Sequence, residues 1–426
     1  MRLIGGSPPV ASTGAGQTGL VARPDWSSVL AGYAQRLHAV AGDDHHVASP
    51  LGAWLVVALC GGLATGDPAA GRELGEALQS DPSDAAAFAT ALLRAPHPLV
   101  GVGAGLWVRS AADTARVAEW RAGLPEQVDT GDIPSQEKLD RWASERTLGL
   151  IERFPATVGP QVVCLLASAL ATKVSWEVPF QVVDAAELGP SRWAGTVTSV
   201  LRTPRDPRHQ QFLTDTPGAG PVAVHLAQAR GGLLVGSVIA ADAAVPAGRV
   251  LAEAHRIVTA EARQPGGVQR LSLFDLPLGA GPVWEIGEEP DGRRDAIQRE
   301  ERFTTILPAW SASSDIRLSR EPLLGLGAAA GAVARALEAP NLRYDARQKA
   351  VARYSAVGFE AAAVTGLYVA AAARRPSGET PRRAVVRFRH PYAVVAATRN
   401  DRREPSAAAW DGVPVFSAWV GRATNA

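Results

Sequence analysis

The chain has 426 residues, and 46% of them are hydrophobic, which assures a sizeable core and excludes global disorder. A net charge of +1 argues against a nucleic-acid or anionic-membrane partner recruited by bulk electrostatics. Length alone predicts about three domains at ~150 residues each, yet one large mixed sheet can hold this much chain as a single unit.

Residues 1–23 are rich in Gly, Ser, Thr and Pro and read as a flexible leader ahead of a domain spanning 24–426. Met1-Arg-Leu-Ile-Gly-Gly lacks an apolar signal core, so a cytoplasmic location is the default, with export by another route left open. Trp26–Val40 reads as an amphipathic helix. Ser49-Pro50 opens a second one, with serine at the cap, proline at the first helical position and an apolar body to Leu63. Its longest apolar run, Gly52–Ala64, is too short to cross a bilayer. Short helices follow at Asp67–Leu78 and Asp84–Leu93, and Val100–Val108 is strand-like. Ser135–Phe154 carries the best helix signals, a serine cap and an apolar stripe through Leu139, Trp142, Leu150 and Ile151.

Val162–Ala171 is continuously apolar and predicts a central strand buried on both faces. Strands are predicted at Ala223–Leu226, Gly232–Ala240, Gln269–Phe274 and Thr304–Leu307, interrupted by a helix at Arg249–Ala262. Further strands read at Val351–Val357, Ala384–Phe388, Tyr392–Ala397 and Val413–Val420. Helices followed by long mixed β structure give an α+β class, without the alternation of a doubly wound sheet.

Enzyme signatures are missing: there is no P-loop, no Gly-x-Ser-x-Gly elbow, no His-Glu-x-x-His and no cysteine pair at zinc spacing. His45-His46 reads as a solvated turn before the Ser49 cap rather than a metal site. Gly101-Val-Gly-Ala-Gly-Leu has its third glycine misplaced for a dinucleotide loop and reads as strand glycine. The pairs Arg293-Arg294, Arg374-Arg375 and Arg402-Arg403 read as solvated surface. Cys60 and Cys164 lie in apolar runs and read as buried free thiols, with one disulfide as the alternative. No cofactor or metal is called for. The Ala/Arg/Gly bias, with lysine only at 138, 173 and 349, suggests a GC-rich bacterial coding sequence.

The run Gly358-Phe359-Glu360-Ala361-Ala362-Ala363-Val364-Thr365, continuing to Ala373, has no proline and no charge after Glu360. Such a run is an aggregation hazard beside an exposed loop unless it has a use. Taken as a strand, it puts Phe359, Ala361, Ala363 and Thr365 on one face and Glu360, Ala362 and Val364 on the other.

In this order and spacing the motifs resemble the serpin family. Ser49-Pro50-Leu51 with Gly62-Leu-Ala64-Thr-Gly66 is similar to its buried helix and following turn. Trp142, Thr147, Gly149 and Ile151 match its helix over the main sheet. Ser168-Ala169-Leu170, Lys173, Trp176 and Phe180 match a strand leading into the region where that sheet opens. Gly358–Thr365 is similar to the hinge, and Phe388, Pro391-Tyr392 and Pro414-x-Phe416 to the carboxy-terminal strands.

The resemblance implies one large α+β domain with three sheets, eight or nine helices and an exposed reactive loop at about 358–387. It implies a monomer that is not an enzyme but a suicide inhibitor of a serine protease, the cut loop inserting into the main sheet. Ser49, Pro50, Ser168, Lys173, Trp176 and Gln348 fall where that sheet would open. The scissile bond falls at Ala372-Ala373, suiting an elastase- or subtilisin-like enzyme, or at Arg374-Arg375, suiting a trypsin-like one. The sequence departs from the family at Phe359, where Thr or Ser is usual and overpacking is expected to cost ~1–3 kcal/mol. It departs again at Gln348 and Ser168, which replace a usual His and Asn. The alternative reading is a serpin-fold binding protein whose loop is cut without insertion.

Overall fold

A computed structural model describes residues 24–289, 300–339, 341–359, 380–400 and 405–426. The leader 1–23, the hinge residues Glu360–Thr365 and all four scissile-bond candidates, Ala372, Ala373, Arg374 and Arg375, lie outside the described residues, as do Arg293-Arg294 and Arg402-Arg403.

Helix α1 (Trp26–Ala41) buries Leu30, Tyr33, Ala34 and Leu37. The three-residue β1 (His46–Ala48) leads into α2 (Pro50–Leu59), in which the Ser49 hydroxyl accepts from Gly52 N–H and every residue but Val56 is buried. A helix apolar all round can only be central. Next, α3 (Pro68–Leu78) and α4 (Pro82–Arg94) repeat one start signal: Asp67 and Asp81 accept from backbone N–H groups, and proline takes the first helical position. Then come β2 (Val100–Val108), α5 (Ala115–Gly123), β3 (Val128–Gly131) and α6 (Gln136–Arg146). Ser135 caps α6 as expected, accepting from Lys138 N–H. The helix ends at Arg146, well short of Phe154, because Leu148 (φ 54°) and Gly149 (φ 79°) turn left-handed.

The strand-rich half begins with β4 (Cys164–Thr172), β5 (Val174–Ser175), β6 (Gln181–Asp184) and β7 (Ser199–Arg202). It continues through β8 (His209–Thr216), β9 (Gly220–Ala229) and β10 (Leu233–Ala240) to α7 (Ala247–Arg263). After β11 (Gly279–Ala280) and β12 (Trp284–Glu288) come β13 (Glu301–Leu307), β14 (Trp310–Arg317) and α8 (Leu326–Ala336). The chain closes with β15 (Arg347–Tyr354), β16 (Gly358–Phe359), β17 (Arg382–Arg387), β18 (Tyr392–Thr398) and β19 (Pro414–Val420). The span expected as loop, 358–387, thus begins and ends in strand.

One sheet has the order β1-β19-β18-β10-β9-β8, with α7 packed on it; β10, β18 and β19 are buried at every position. A second runs β11-β12-β17-β13-β7-β6. Two further ladders run β14-β15-β16-β5 and β3-β2-β4.

Three expectations need correction. The strand expected at Gln269–Phe274 is a single bridge from Leu271 to Leu213 followed by a short 3-10 turn, because the Ser272 hydroxyl accepts from Phe274 N–H and curls the chain. The strand expected at Val162–Ala171 starts at Cys164, and its first residues are only half-buried. His46 is not in a solvated turn: it is 5% exposed in β1, and its Nε2 lies 2.7 Å from His38 Nδ1. The Gly101–Gly105 repeat is strand glycine, and the geometry gives the reason. A Cβ at Gly103 would lie 2.8 Å from the Arg146 side chain, so the missing side chain lets α6 lie on β2.

Candidate functional site: an unfilled strand position

Among the described residues, β4 and β15 line one crevice but belong to different ladders. It measures about 10 Å³ and is lined by Leu170 and Thr172 of β4 and by Ala350, Val351 and Ala352 of β15. Thr147, Leu150 and Ile151, beyond the end of α6, line it as well, and so does Phe416 of β19. That volume admits at most one water, so this is a closed seam and not a ligand pocket. Thr147 fixes the covering segment: its hydroxyl donates to the Ala143 carbonyl (2.6 Å) and accepts from Ile151 N–H (3.0 Å). On the seam's flank the Thr172 hydroxyl is buried without a hydrogen-bond partner, a cost of about 1–3 kcal/mol in the closed state.

At the head of the seam sits β16. Phe359 pairs with Tyr354 of β15 on one side and Val174 of β5 on the other, and Gly358 pairs with Ser175. Phe359 is 3% exposed, with its ring edge-on to Trp310 at 6.2 Å. The side chain expected to overpack this face has a place in the core. The turn before it is clamped from the strand opposite: Trp176 N–H donates to Val357 O, Trp176 Nε1 to Ser355 O and Phe180 N–H to Ala356 O. Trp176, Phe180 and Tyr354 also pack their rings together. Among the described residues, β16 thus pairs with β15 at Phe359 alone and with β5 at both Gly358 and Phe359.

Below the seam lies the first turn of α2. Gln348 on β15 accepts from Ser49 N–H at 2.9 Å and donates to the Ser49 carbonyl at 2.8 Å. Ser168 on β4 donates to the Gly52 carbonyl at 2.5 Å, and Ser49 Oγ donates to Val415 O. Pro50 holds that turn as its first helical residue. Lys173, between β4 and β5, is exposed and makes no hydrogen bond or ion pair among the described residues.

A nucleophile-like constellation exists elsewhere. Ser417 Oγ lies 2.6 Å from His38 Nε2, and His38 Nδ1 lies 2.7 Å from His46 Nε2. Ser417 is 2% exposed and its row is strand core, so no substrate reaches it. Cys60 and Cys164 are free thiols; burial pushes Cys164 up to about 12 and Cys60 higher still, which makes both poor nucleophiles. No helix is long and apolar enough to cross a membrane, among the described residues.

The architecture has solved counterparts. Serpin48 of the insect Tenebrio molitor superposes with a TM-score of 0.58 at 12% identity, over 94% of this chain and 99% of that one. The fold is that of the serpins. Tengpin, a thermophilic serpin solved in its native state, gives 0.61 at 12% identity over 98% and 97% of the two chains. Thyroxine-binding globulin in complex with thyroxine gives 0.59 at 13% identity over 94% and 100%. No family model and no curated protein matches the sequence. On this serpin fold, the seam brings together Ser49, Pro50, Ser168 and Gln348 below and Trp176, Gly358 and Phe359 at the head, and leaves Lys173 apart. Sequence reading missed Thr172 and Tyr354. A threonine in an apolar strand carries no mark of an unsatisfied hydroxyl.

Proposed function

We propose that this protein inhibits a serine protease as a suicide substrate, its cut loop entering the seam between β4 and β15. The observation that carries this reading is the seam between β4 and β15, which no strand fills among the described residues, with Gly358 and Phe359 already seated at its head. Attack by the protease serine on the carbonyl of Ala372 forms an acyl-enzyme and releases the amine of Ala373. The freed segment from residue 360 onward then extends β16. Each new ladder hydrogen bond contributes about 1 kcal/mol net. Ala361, Ala363 and Thr365 follow Phe359 on the inward face and are small enough to enter a packed layer. Glu360 falls on the other face.

Cleavage at Ala372-Ala373 would suit an elastase- or subtilisin-like enzyme, and cleavage at Arg374-Arg375 a trypsin-like one; the protein acts as a monomer without a cofactor. The likeness to thyroxine-binding globulin supports a second reading, a serpin-fold binding protein whose loop is cut but stays out of the sheet. Incubation with an elastase-like and a trypsin-like protease separates the two. The inhibitor gives an SDS-stable covalent complex and a higher Tm once the loop is cut. Cleavage with neither outcome sinks the inhibitor reading.

A further inference from the structure

His209 on β8 and His225 on β9 are both buried, and the Phe180 ring lies edge-on to each, at 4.7 and 5.4 Å. His209 Nε2 lies 2.7 Å from the Val178 carbonyl, and His209 Nδ1 lies 3.1 Å from His225 Nε2. A carbonyl only accepts, so His209 carries its hydrogen on Nε2 and accepts at Nδ1. His225 then donates from Nε2 and keeps a bare Nδ1, a buried atom without a hydrogen-bond partner among the described residues.

Neither free nitrogen is placed to hold a proton. A proton on His209 Nδ1 sets two N–H groups against each other across 3.1 Å. A proton on His225 Nδ1 charges a ring that has no exposed surface. The groups facing the pair offset little of either charge. Opposite His225 stand Ser237 on β10 and Gln211 on β8, both neutral, and Gln211 donates to the His209 carbonyl. Tyr354 of β15 packs on the same Phe180 ring, beside Ser237, and buries an unpaired hydroxyl. Glu177 is held by Arg208 at 2.7 Å. Asp206, also bound by Arg208, favours charge on His209, but burial outweighs it; burial and the neighbouring His209 both oppose charge on His225.

The pair is tied to the head of the seam. Val178, which His209 holds, lies between Trp176 and Phe180, whose N–H groups donate to Val357 O and Ala356 O. Those two bonds clamp the turn that leads into β16.

We propose that His209 and His225 form an acid latch, in which proton uptake by the pair releases the 176–180 clamp and frees the turn ahead of Phe359. A charged imidazole needs water, and the segment that must lift to admit it carries Trp176 and Phe180. Above pH ~6.5 both rings are neutral and the clamp is shut; below it, the lifted form with solvated rings gains population. No protease takes part, so the latch stands apart from the inhibitor reading.

Hydrogen exchange of the intact chain tests this at about pH 7.5 and about pH 5, corrected for the intrinsic pH dependence of exchange. In the wild type, opening of 174–180 and 354–359 should grow about tenfold or more at the lower pH. That is the gain for one imidazole that titrates near ~6.5 when open and stays neutral when closed. Strand β18 should show no such growth. The double variant His209→Gln/His225→Leu, whose glutamine keeps a donor for the Val178 carbonyl, should lose the growth. His255→Leu, which removes a buried histidine on α7, should keep it. No growth in the wild type, growth shared by β18, growth surviving in the double variant, or equal loss in His255→Leu overturns the latch. If the double variant does not fold, His209→Gln alone should show smaller growth than the wild type, and equal growth overturns the latch.

Discussion

Gln348 holds both backbone groups of Ser49, accepting from its N–H and donating to its carbonyl. Ser168, on the far side of the seam, donates to Gly52 three residues on. Two strands that share no ladder are joined through one helical turn.

Removing that link weakens the intact fold. Gln348→Ala leaves the Ser49 N–H without a partner, while the Ser49 carbonyl keeps its bond from Ala53 N–H, and is expected to cost about 1–3 kcal/mol. Ser168→Ala, which loses one bond, costs less. Chemical denaturation of the two variants and their double mutant checks this. Because both side chains act on one turn, the double mutant should depart from additivity.

Phe359 is part of the closed core. Phe359→Ala opens a cavity beside Trp310 and Tyr354 and is expected to destabilise the uncut protein by about 3–5 kcal/mol. Unchanged stability would mean that the ring spends its time in solvent.

Thr365→Arg puts a charge on the face that must become core. It is expected to leave loop cleavage intact and abolish both the covalent complex and the Tm rise. Survival of inhibition would rule out strand insertion.

Acid should weaken the protein through its histidines. Burial pulls His38, His46, His209, His225 and His255 below the usual imidazole value, His255 to about 4. The unfolded chain takes up protons near pH 6.5 and the folded one resists them, so stability is full above that pH and is lost as pH falls toward 4. His255 also buries both ring nitrogens without a hydrogen bond. His255→Leu should therefore raise Tm and flatten the acid limb of a Tm–pH curve.

Both cysteines should be silent in the native state. A thiol reagent is expected to label Cys60 and Cys164 slowly in buffer and fast in denaturant. Rapid labelling of Cys164 alone would show that the start of β4 opens.

Local chemistry made much of this fold legible. The Ser49-Pro50 start, the buried body of α2 and the Ser135 cap are all written in adjacent residues, and glycines 101–105 read correctly as strand. Other features depend on partners distant in sequence. Leu148 ends α6 in a left-handed conformation that its residue type does not advertise. His46 looked solvated beside two aspartates, yet it pairs with Trp419 of β19 and its ring meets His38. Position marked Gln348, Ser168 and Phe359 as candidates, but their bonds and ring contacts had to be seen. The seam is the extreme case: it is an absence of pairing between β4 and β15, and no single segment encodes an absence.

Strand β17 has a neighbour at each edge, five paired positions with β12 and six with β13. The chain leaves β16 between two strands and re-enters β17 between two more. Were an unbroken chain to fill the whole seam, as proposed for the cut loop, β17 would have to leave both ladders. On the proposed insertion, lifetime and equilibrium are set by different parts of the molecule: the seam governs how much free energy is released, and β17 how long the intact protein waits. Weakening β12 should shorten that wait without changing the final state.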